Sequence, residues 1–222
     1  MKSETELVKE QLSLFQEQMP SDVTLVAVSK TKPQSSIEAA ATTGQLDFGE
    51  NRVQEMAEKA MALTDLNLRW HHIGHLQTNK VKQVVPHAHL IHAVDSARLL
   101  QEIDKRSANI GKVSNVLLQI HIATESTKFG WSLPEFETFL EGLSWKELQH
   151  VNIRGLMGMA TFTDNHQQVR REFQSLKRAF DTTSSIGSEF DTLSMGMSGD
   201  WKIAVDEGST MVRIGSSIFG SR

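Results

Sequence analysis

Val23-Thr-Leu-Val-Ala-Val-Ser-Lys30-Thr-Lys-Pro33 is the stretch that decides the fold. From Val23 to Lys30 it is rich in β-branched residues and has the length of a strand. Pro33 then opens a helix, where a missing N–H costs nothing, and Ile37 and Ala41 follow at helical spacing until Gly44 ends the run. A strand that passes directly into a helix is half of a βα unit. The turn between them, Ser29-Lys-Thr-Lys32, contains no glycine, whereas an open doubly wound sheet, the competing architecture, would place a Gly-rich turn there.

Outward from this unit the pattern repeats. Short apolar or strand-like pieces stand at Leu46–Phe48, Trp70–Gly74, Leu90–Val94, Val116–Ile122, Ile153–Met159, Thr192–Met195 and Met211–Ile214, which with the first makes eight. Helical stretches separate most of them. Val169, Phe173, Leu176 and Phe180 form one apolar stripe, and Ser132 with Glu135 is a capping box ahead of Leu133, Phe136, Leu140 and Leu143. Upstream, Ser3 with Glu6 caps a helix carrying Val8, Leu12, Phe15 and Met19, stopped by Pro20. Strict alternation implies parallel strands with crossover helices, and eight such units imply a (β/α)8 barrel with an additional N-terminal helix. No linker, low-complexity tract or short repeat interrupts the 222 residues, so residues 1–222 are read as one domain.

Composition narrows the function. Hydrophobic residues make up 39% and charged residues 23%, the balance of a globular chain, and the formal charge of −4 gives none of the basic excess that nucleic acid or a membrane surface attracts. Cysteine is absent, which excludes disulfides, thiolate nucleophiles and Cys-based metal sites. The start, Met1-Lys-Ser-Glu-Thr-Glu-Leu-Val-Lys-Glu10, has no apolar signal core, and no apolar run approaches the roughly 20 residues of a membrane span. These features point to a cytoplasmic protein.

Barrel chemistry sits at the C-terminal ends of the strands. The first strand is read as ending in Lys30, which shares a face with Val26 and Val28. If that face lines the barrel, the amine stands at the inner mouth above apolar layers, placed to attack an aldehyde. Position alone favours a surface lysine at a strand end, and Lys32 competes, although as the residue before a proline it belongs to the loop. The last strand leads into Arg213-Ile-Gly215-Ser216-Ser217, and the seventh into Leu193-Ser-Met-Gly-Met-Ser-Gly-Asp200. Glycines and hydroxyls after strands seven and eight are where barrels often hold a phosphate. Gly49-Glu-Asn-Arg52 brings an amide and charges to the same rim, with Asn51 alternatively an N-cap. The histidines of His71-His-Ile-Gly-His75 and His87-Ala-His-Leu-Ile-His92 suggest a metal, but no HExxH helix or paired ligand register accompanies them, so no metal site is assigned. His75, at the end of the third strand, is the best site candidate among them.

At these residues the chain resembles the pyridoxal phosphate homeostasis proteins, a family with the alanine-racemase-like barrel. The resemblance runs nearly end to end. It rests on Ala27-Val-Ser-Lys-Thr-Lys-Pro33, Asp47-Phe-Gly-Glu-Asn51, His72-Ile-Gly-His-Leu-Gln77 with Asn79-Lys80, Lys128-Phe-Gly130, Arg154-Gly-Leu-Met157, Leu193-Ser-Met-Gly-Met-Ser198 and Gly208-Ser-Thr-Met-Val-Arg-Ile-Gly215. It implies pyridoxal 5′-phosphate (PLP) as cofactor, held as a Schiff base by Lys30, with Asn51 facing it and Ser194, Arg213, Gly215 and Ser216 at its phosphate and ring end. Arg52 and His71 stand where the family has bulky or aromatic residues, and Ser216-Ser217 replaces a familiar Thr-Ala.

Three functions compete at this point. One is a carrier that buffers PLP, contributes to vitamin B6 homeostasis and passes the cofactor to apo PLP-dependent enzymes. The second is a fold-type III PLP enzyme, such as an amino-acid racemase. The third is a cofactor-free isomerase of a phosphorylated sugar, with Glu50 or His75 as base and Lys30 idle. The carrier is preferred. The resemblance puts Arg213 rather than an acid at the ring nitrogen, which leaves the ring a poor electron sink. Racemases of this architecture bring in a tyrosine, and this chain has none. They also carry a C-terminal β-domain for which little sequence follows the eighth strand. A monomer is the expectation.

Overall fold

The structure, a computed structural model, describes residues 2–124, 129–183 and 189–220. Eight parallel strands close into a barrel in chain order: β1 (Thr24–Val28), β2 (Asp47–Glu50), β3 (Arg69–His72), β4 (Ala88–Val94), β5 (Ser114–Gln119), β6 (Val151–Met157), β7 (Thr192–Met197) and β8 (Met211–Ile214), with β8 paired to β1. Around it run α1 (Glu4–Gln18), α2 (Gln34–Ala41), α3 (Val53–Ala62), α4 (Val81–Val84), α5 (Ala97–Ala108), α6 (Leu133–Glu141), α7 (His166–Thr183), α8 (Trp201–Asp206) and α9 (Ser216–Phe219). The (β/α)8 barrel implied by the alternation is present, with α1 as the additional helix.

The local signals act as their chemistry requires. Ser3 and Glu6 close the capping box of α1, and Ser132 and Glu135 close that of α6. Gly44 takes φ 86° after α2, a left-handed backbone that glycine adopts without steric cost. In α7, Val169, Phe173 and Leu176 are buried and Phe180 stacks on Phe190 at 5.1 Å, the predicted stripe. Leu143 departs from expectation: α6 ends at Glu141, and Leu143 lies beyond it at φ 54°, half exposed.

Strand periodicity sorts side chains to two faces. Leu25, Ala27 and Phe48 point outward into the large core under the helices, whereas Val26, Leu90, Ala93, Leu117, Met157 and Met211 form a small apolar cluster inside the barrel. Strands β2 and β7 each run two residues further than predicted. Three other predicted strands overrun the observed ones at their C-terminal ends, β3, β5 and β6 each stopping two or three residues early because the apolar pattern continues into the rim after the ladder stops. The same correction applies to β1. It ends at Val28, not Lys30. Ser29 still donates its N–H to Gly49 O at 3.0 Å, and Lys30 and Thr31 form the turn beyond it.

Candidate functional site

Three neighbouring strands bring the predicted residues to one arc of the C-terminal rim. Val28 pairs with Gly49 across β1 and β2, and Ala27 pairs with Ile214 across β1 and β8. Lys30, Asn51 and Gly215 each lie two positions beyond an inward-facing residue (Val28, Gly49 and Arg213), just past the C-terminal ends of β1, β2 and β8. Lys30 is half-buried and Asn51 Oδ1 is buried without a protein partner. Two glycines permit the close approach. A Cβ on Gly215 would stand 3.3 Å from Val28 Cβ, and one on Gly74 would stand 2.3 Å from Asn51 O, which backbone cannot accommodate.

A polar cup forms where β7 and β8 end. Gly215 donates its N–H to Ser198 Oγ at 3.3 Å, and Ser216 Oγ lies 3.5 Å from the same oxygen. Ser198 therefore faces Gly215 and Ser216, and Ser194 does not. Ser194 lies within β7, before a register shift that separates it from Met197, and is fully buried, accepting from Arg213 Nη1 at 2.5 Å and meeting His92 Nδ1 at 3.1 Å. The sequence presented two serines of equal parity, and the register shift and the end of β7 separate them. Arg213 is also buried and donates through Nη2 to Gly158 O at 3.1 Å. Burial pushes its guanidinium down to about 10, against the opposing pull of Asp200, so it stays charged at neutral pH.

The turn carrying Lys30 is held from behind by a network that sequence reading missed. Glu50 does not reach the rim as expected. It is fully buried on the outer face of β2, where Glu50 Oε1 accepts from Ser29 Oγ at 2.6 Å and from Lys59 Nζ of α3 at 2.7 Å. Lys59 also donates to Ser29 O at 2.9 Å and to Glu55 Oε1 at 2.7 Å, and Glu55 Oε1 accepts the Thr31 N–H at 2.5 Å. Both neighbours of Lys30 are thus tied to Lys59. Thr31 takes φ 65°, a backbone conformation rare for a β-branched residue. Burial pushes the Glu50 carboxyl above its ordinary range, with Lys59 and Ser29 pulling it back.

The remaining candidates separate. His75 is at the rim but past the strand, with Nδ1 3.0 Å from Asp95 Oδ2 and its ring 4.6 Å from that of Phe129. His72 is fully buried with neither ring nitrogen partnered, and burial depresses it to about 4. Lys32 is half-buried beside the turn and Arg52 is the exposed N-cap of α3. Lys128 lies outside the described residues. His71 and His92 face the barrel interior and each other, at 2.9 Å between Nδ1 and Nε2. Among the described residues no three His, Asp or Glu side chains are grouped to hold a metal, and no helix is long and apolar enough to cross a membrane.

A lysine-bearing turn, an amide, a buried guanidinium and a Gly/Ser cup at or near the C-terminal ends of β1, β2, β7 and β8 define the class: a (β/α)8 barrel with a polar site at its rim. Residues 5–222 match the alanine racemase N-terminal domain family, and the chain belongs to it. Within that family it is 38% identical over 207 residues to the pyridoxal phosphate homeostasis protein of Vibrio alginolyticus, covering 91% of this chain and 88% of the relative. The structure of PipY from Synechococcus elongatus PCC7942 with PLP bound superposes with a TM-score of 0.87 at 37% identity, covering 96% of this chain and all of that one. Alanine racemase of Clostridium difficile shares the fold, with a TM-score of 0.79 at 16% identity over 56% of its length.

Proposed function

We propose that this chain binds PLP at the β7–β8–β1–β2 rim, buffers it, and passes it on as a cytoplasmic monomer to apo PLP-dependent enzymes without turning over amino acids itself. The observation that carries this reading is the convergence of Lys30, Asn51 and the Ser198–Gly215–Ser216 cup on one rim, in a chain whose relatives are PLP homeostasis proteins. The residues fit the cofactor. Asn51 Oδ1 is an orphaned buried acceptor, and Gly215 lets its backbone pack against Val28, where a Cβ would stand 3.3 Å from Val28 Cβ. When bound, the cofactor supplies an electrophilic aldehyde and a ring that can accept electrons.

The chain's own residues divide the work. Lys30 would supply the amine for the aldehyde, and the Ser198 and Ser216 hydroxyls with the Gly215 N–H, now donated to Ser198 Oγ, would hold the phosphate. Ser194 acts at the ring end by fixing Arg213, which would face the ring nitrogen as a permanent cation and withhold a proton from it. That keeps the ring's electron demand low. Glu50, the carboxylate that a cofactor-free isomerase would need, is sealed under α3 by Ser29 and Lys59.

The decisive experiment pairs a transfer assay with an exchange assay. Protein loaded with PLP should restore activity to an apo-transaminase, while L-alanine or L-serine incubated with it keeps its configuration and its α-proton in deuterium oxide. Rapid α-exchange with inversion, lost in Lys30→Ala, would replace the carrier by an enzyme.

The cup has its own test. Charge-assisted hydrogen bonds contribute roughly 1.5–3 kcal/mol each, so a carboxylate placed among them should be costly to an anion. Ser216 is exposed, so Ser216→Asp should fold normally and weaken PLP binding at least about tenfold while weakening pyridoxal far less. Equal losses for the two ligands, measured by titration of the visible band, would place the phosphate elsewhere.

A further inference from the structure

One set of buried polar groups is unused by this reading. Asp47, the first residue of β2, meets His71 Nε2 through Oδ1 at 2.9 Å, and its other oxygen accepts from Arg69. His71 Nδ1 meets His92 Nε2 at 2.9 Å, and His92 Nδ1 meets Ser194 Oγ at 3.1 Å, which accepts from Arg213 Nη1 at 2.5 Å. The four side chains from His71 to Arg213 are at most 4% exposed. A continuous hydrogen-bonded chain therefore crosses the barrel interior, from the N-terminal mouth beneath β2 to the guanidinium at the rim. It occupies ground that sequence reading assigned to apolar layers.

We propose that Asp47, His71 and His92 are positioning residues that fix the Ser194 hydroxyl in one sense and thereby seat Arg213 at the ligand end. The two ends dictate the direction. An ionised carboxylate only accepts, so His71 donates from Nε2. A ring with one proton then accepts at Nδ1, so His92 donates from Nε2, accepts at Nδ1, and receives the Ser194 O–H. Ser194 Oγ is left to accept from Arg213, which only donates. Every donor in the chain has one acceptor, and charge runs from Arg213 to Asp47. Burial, and next the nearby His71, holds His92 well below its ordinary range, consistent with a single ring proton. Burial raises the Asp47 carboxyl, but its bonds from His71 and Arg69 outweigh that and hold it below the usual range. His89, 5.6 Å from His71 between ring centroids, the neighbouring His72, and Asp200 at the Arg213 end are further titratable groups around the chain.

The proposal makes an isosteric variant unusually informative. In Asp47→Asn, Arg69 would retain the amide oxygen and turn the NH2 toward His71 Nε2. His71 must then accept at Nε2 and donate from Nδ1, His92 must do the same, and Ser194 Oγ receives two donors. Ring 15N spectra of the cofactor-free protein read these states directly. Wild type should show His71 and His92 as Nε2–H tautomers, and Asp47→Asn should convert both to Nδ1–H. Loaded with PLP, the variant should bind about tenfold more weakly, with its visible band displaced.

Only the ligand-end part rests on the proposed function; the tautomers are measured without cofactor, so failure of PLP binding would leave them standing. An Nδ1–H His92 in wild type would overturn the relay, even if the variant did not fold. So would an unchanged His92 in folded Asp47→Asn. Reversed tautomers with unaltered PLP affinity and band would overturn the positioning of Arg213.

Discussion

Lys30→Ala is expected to erase borohydride labelling of the PLP-treated protein and the visible band of the cofactor–lysine adduct, leaving only complex held through the phosphate cup. Among the described residues no other lysine occupies the same place. Lys30 stands two positions beyond Val28 on the face that carries Val26 into the barrel, and the chain bends there because Thr31 takes a left-handed backbone. Lys32 follows the bend, Lys80 closes the helical turn Thr78–Lys80, and Lys59 is committed to Glu50, Glu55 and Ser29 O behind the wall. Reduction, digestion and mass mapping of wild type should therefore find the cofactor on the peptide containing Lys30 alone. A label on Lys32 or Lys80, with Lys30 unmodified, would sink the assignment.

Much of this arrangement could be read before any coordinates. The strands announced themselves because β-branched runs and alternating polarity reflect which face each residue must bury, and that is local information. The capping boxes at Ser3 and Ser132 were legible for the same reason. What the sequence did not yield depends on depth and register. Ser194 and Ser198 have equal parity in sequence, but β7 shifts register between Ser194 and Met197 and ends before Ser198, which puts one beside Arg213 and the other in the cup. His71 and His92 lie on adjacent strands whose register shifts between Trp70 and His71, so their contact could not be counted from spacing. Glu50 looked like a rim carboxylate because it precedes Asn51. Its parity sends it outward, and the partner that makes its burial tolerable, Lys59, lies one helix later.

That pairing carries the largest expected stability effect. Among the described residues, Lys59→Met removes the only cation bonded to Glu50, whose other oxygen, Oε2, already lacks a protein partner. Breaking a buried ion pair from one side costs about 3–5 kcal/mol, because a charge is left buried and uncompensated. Methionine fills most of the lysine's volume, so lost packing contributes little. The sign with pH follows from Glu50. Its folded-state pKa is already raised by burial and rises further once Lys59 no longer lowers it, so the penalty is full above that pKa and fades as pH falls and the native state takes up a proton. Denaturant melts should show Lys59→Met far below wild type at neutral pH and the gap narrowing in mild acid. Glu50→Gln combined with Lys59→Met should recover much of the loss, since no charge is then buried. The clamp also holds both sides of Lys30, through Ser29 O and, by way of Glu55, the Thr31 N–H. The double variant should therefore regain stability without regaining wild-type affinity for PLP. Full recovery of affinity along with stability would show that the turn holds Lys30 without Lys59.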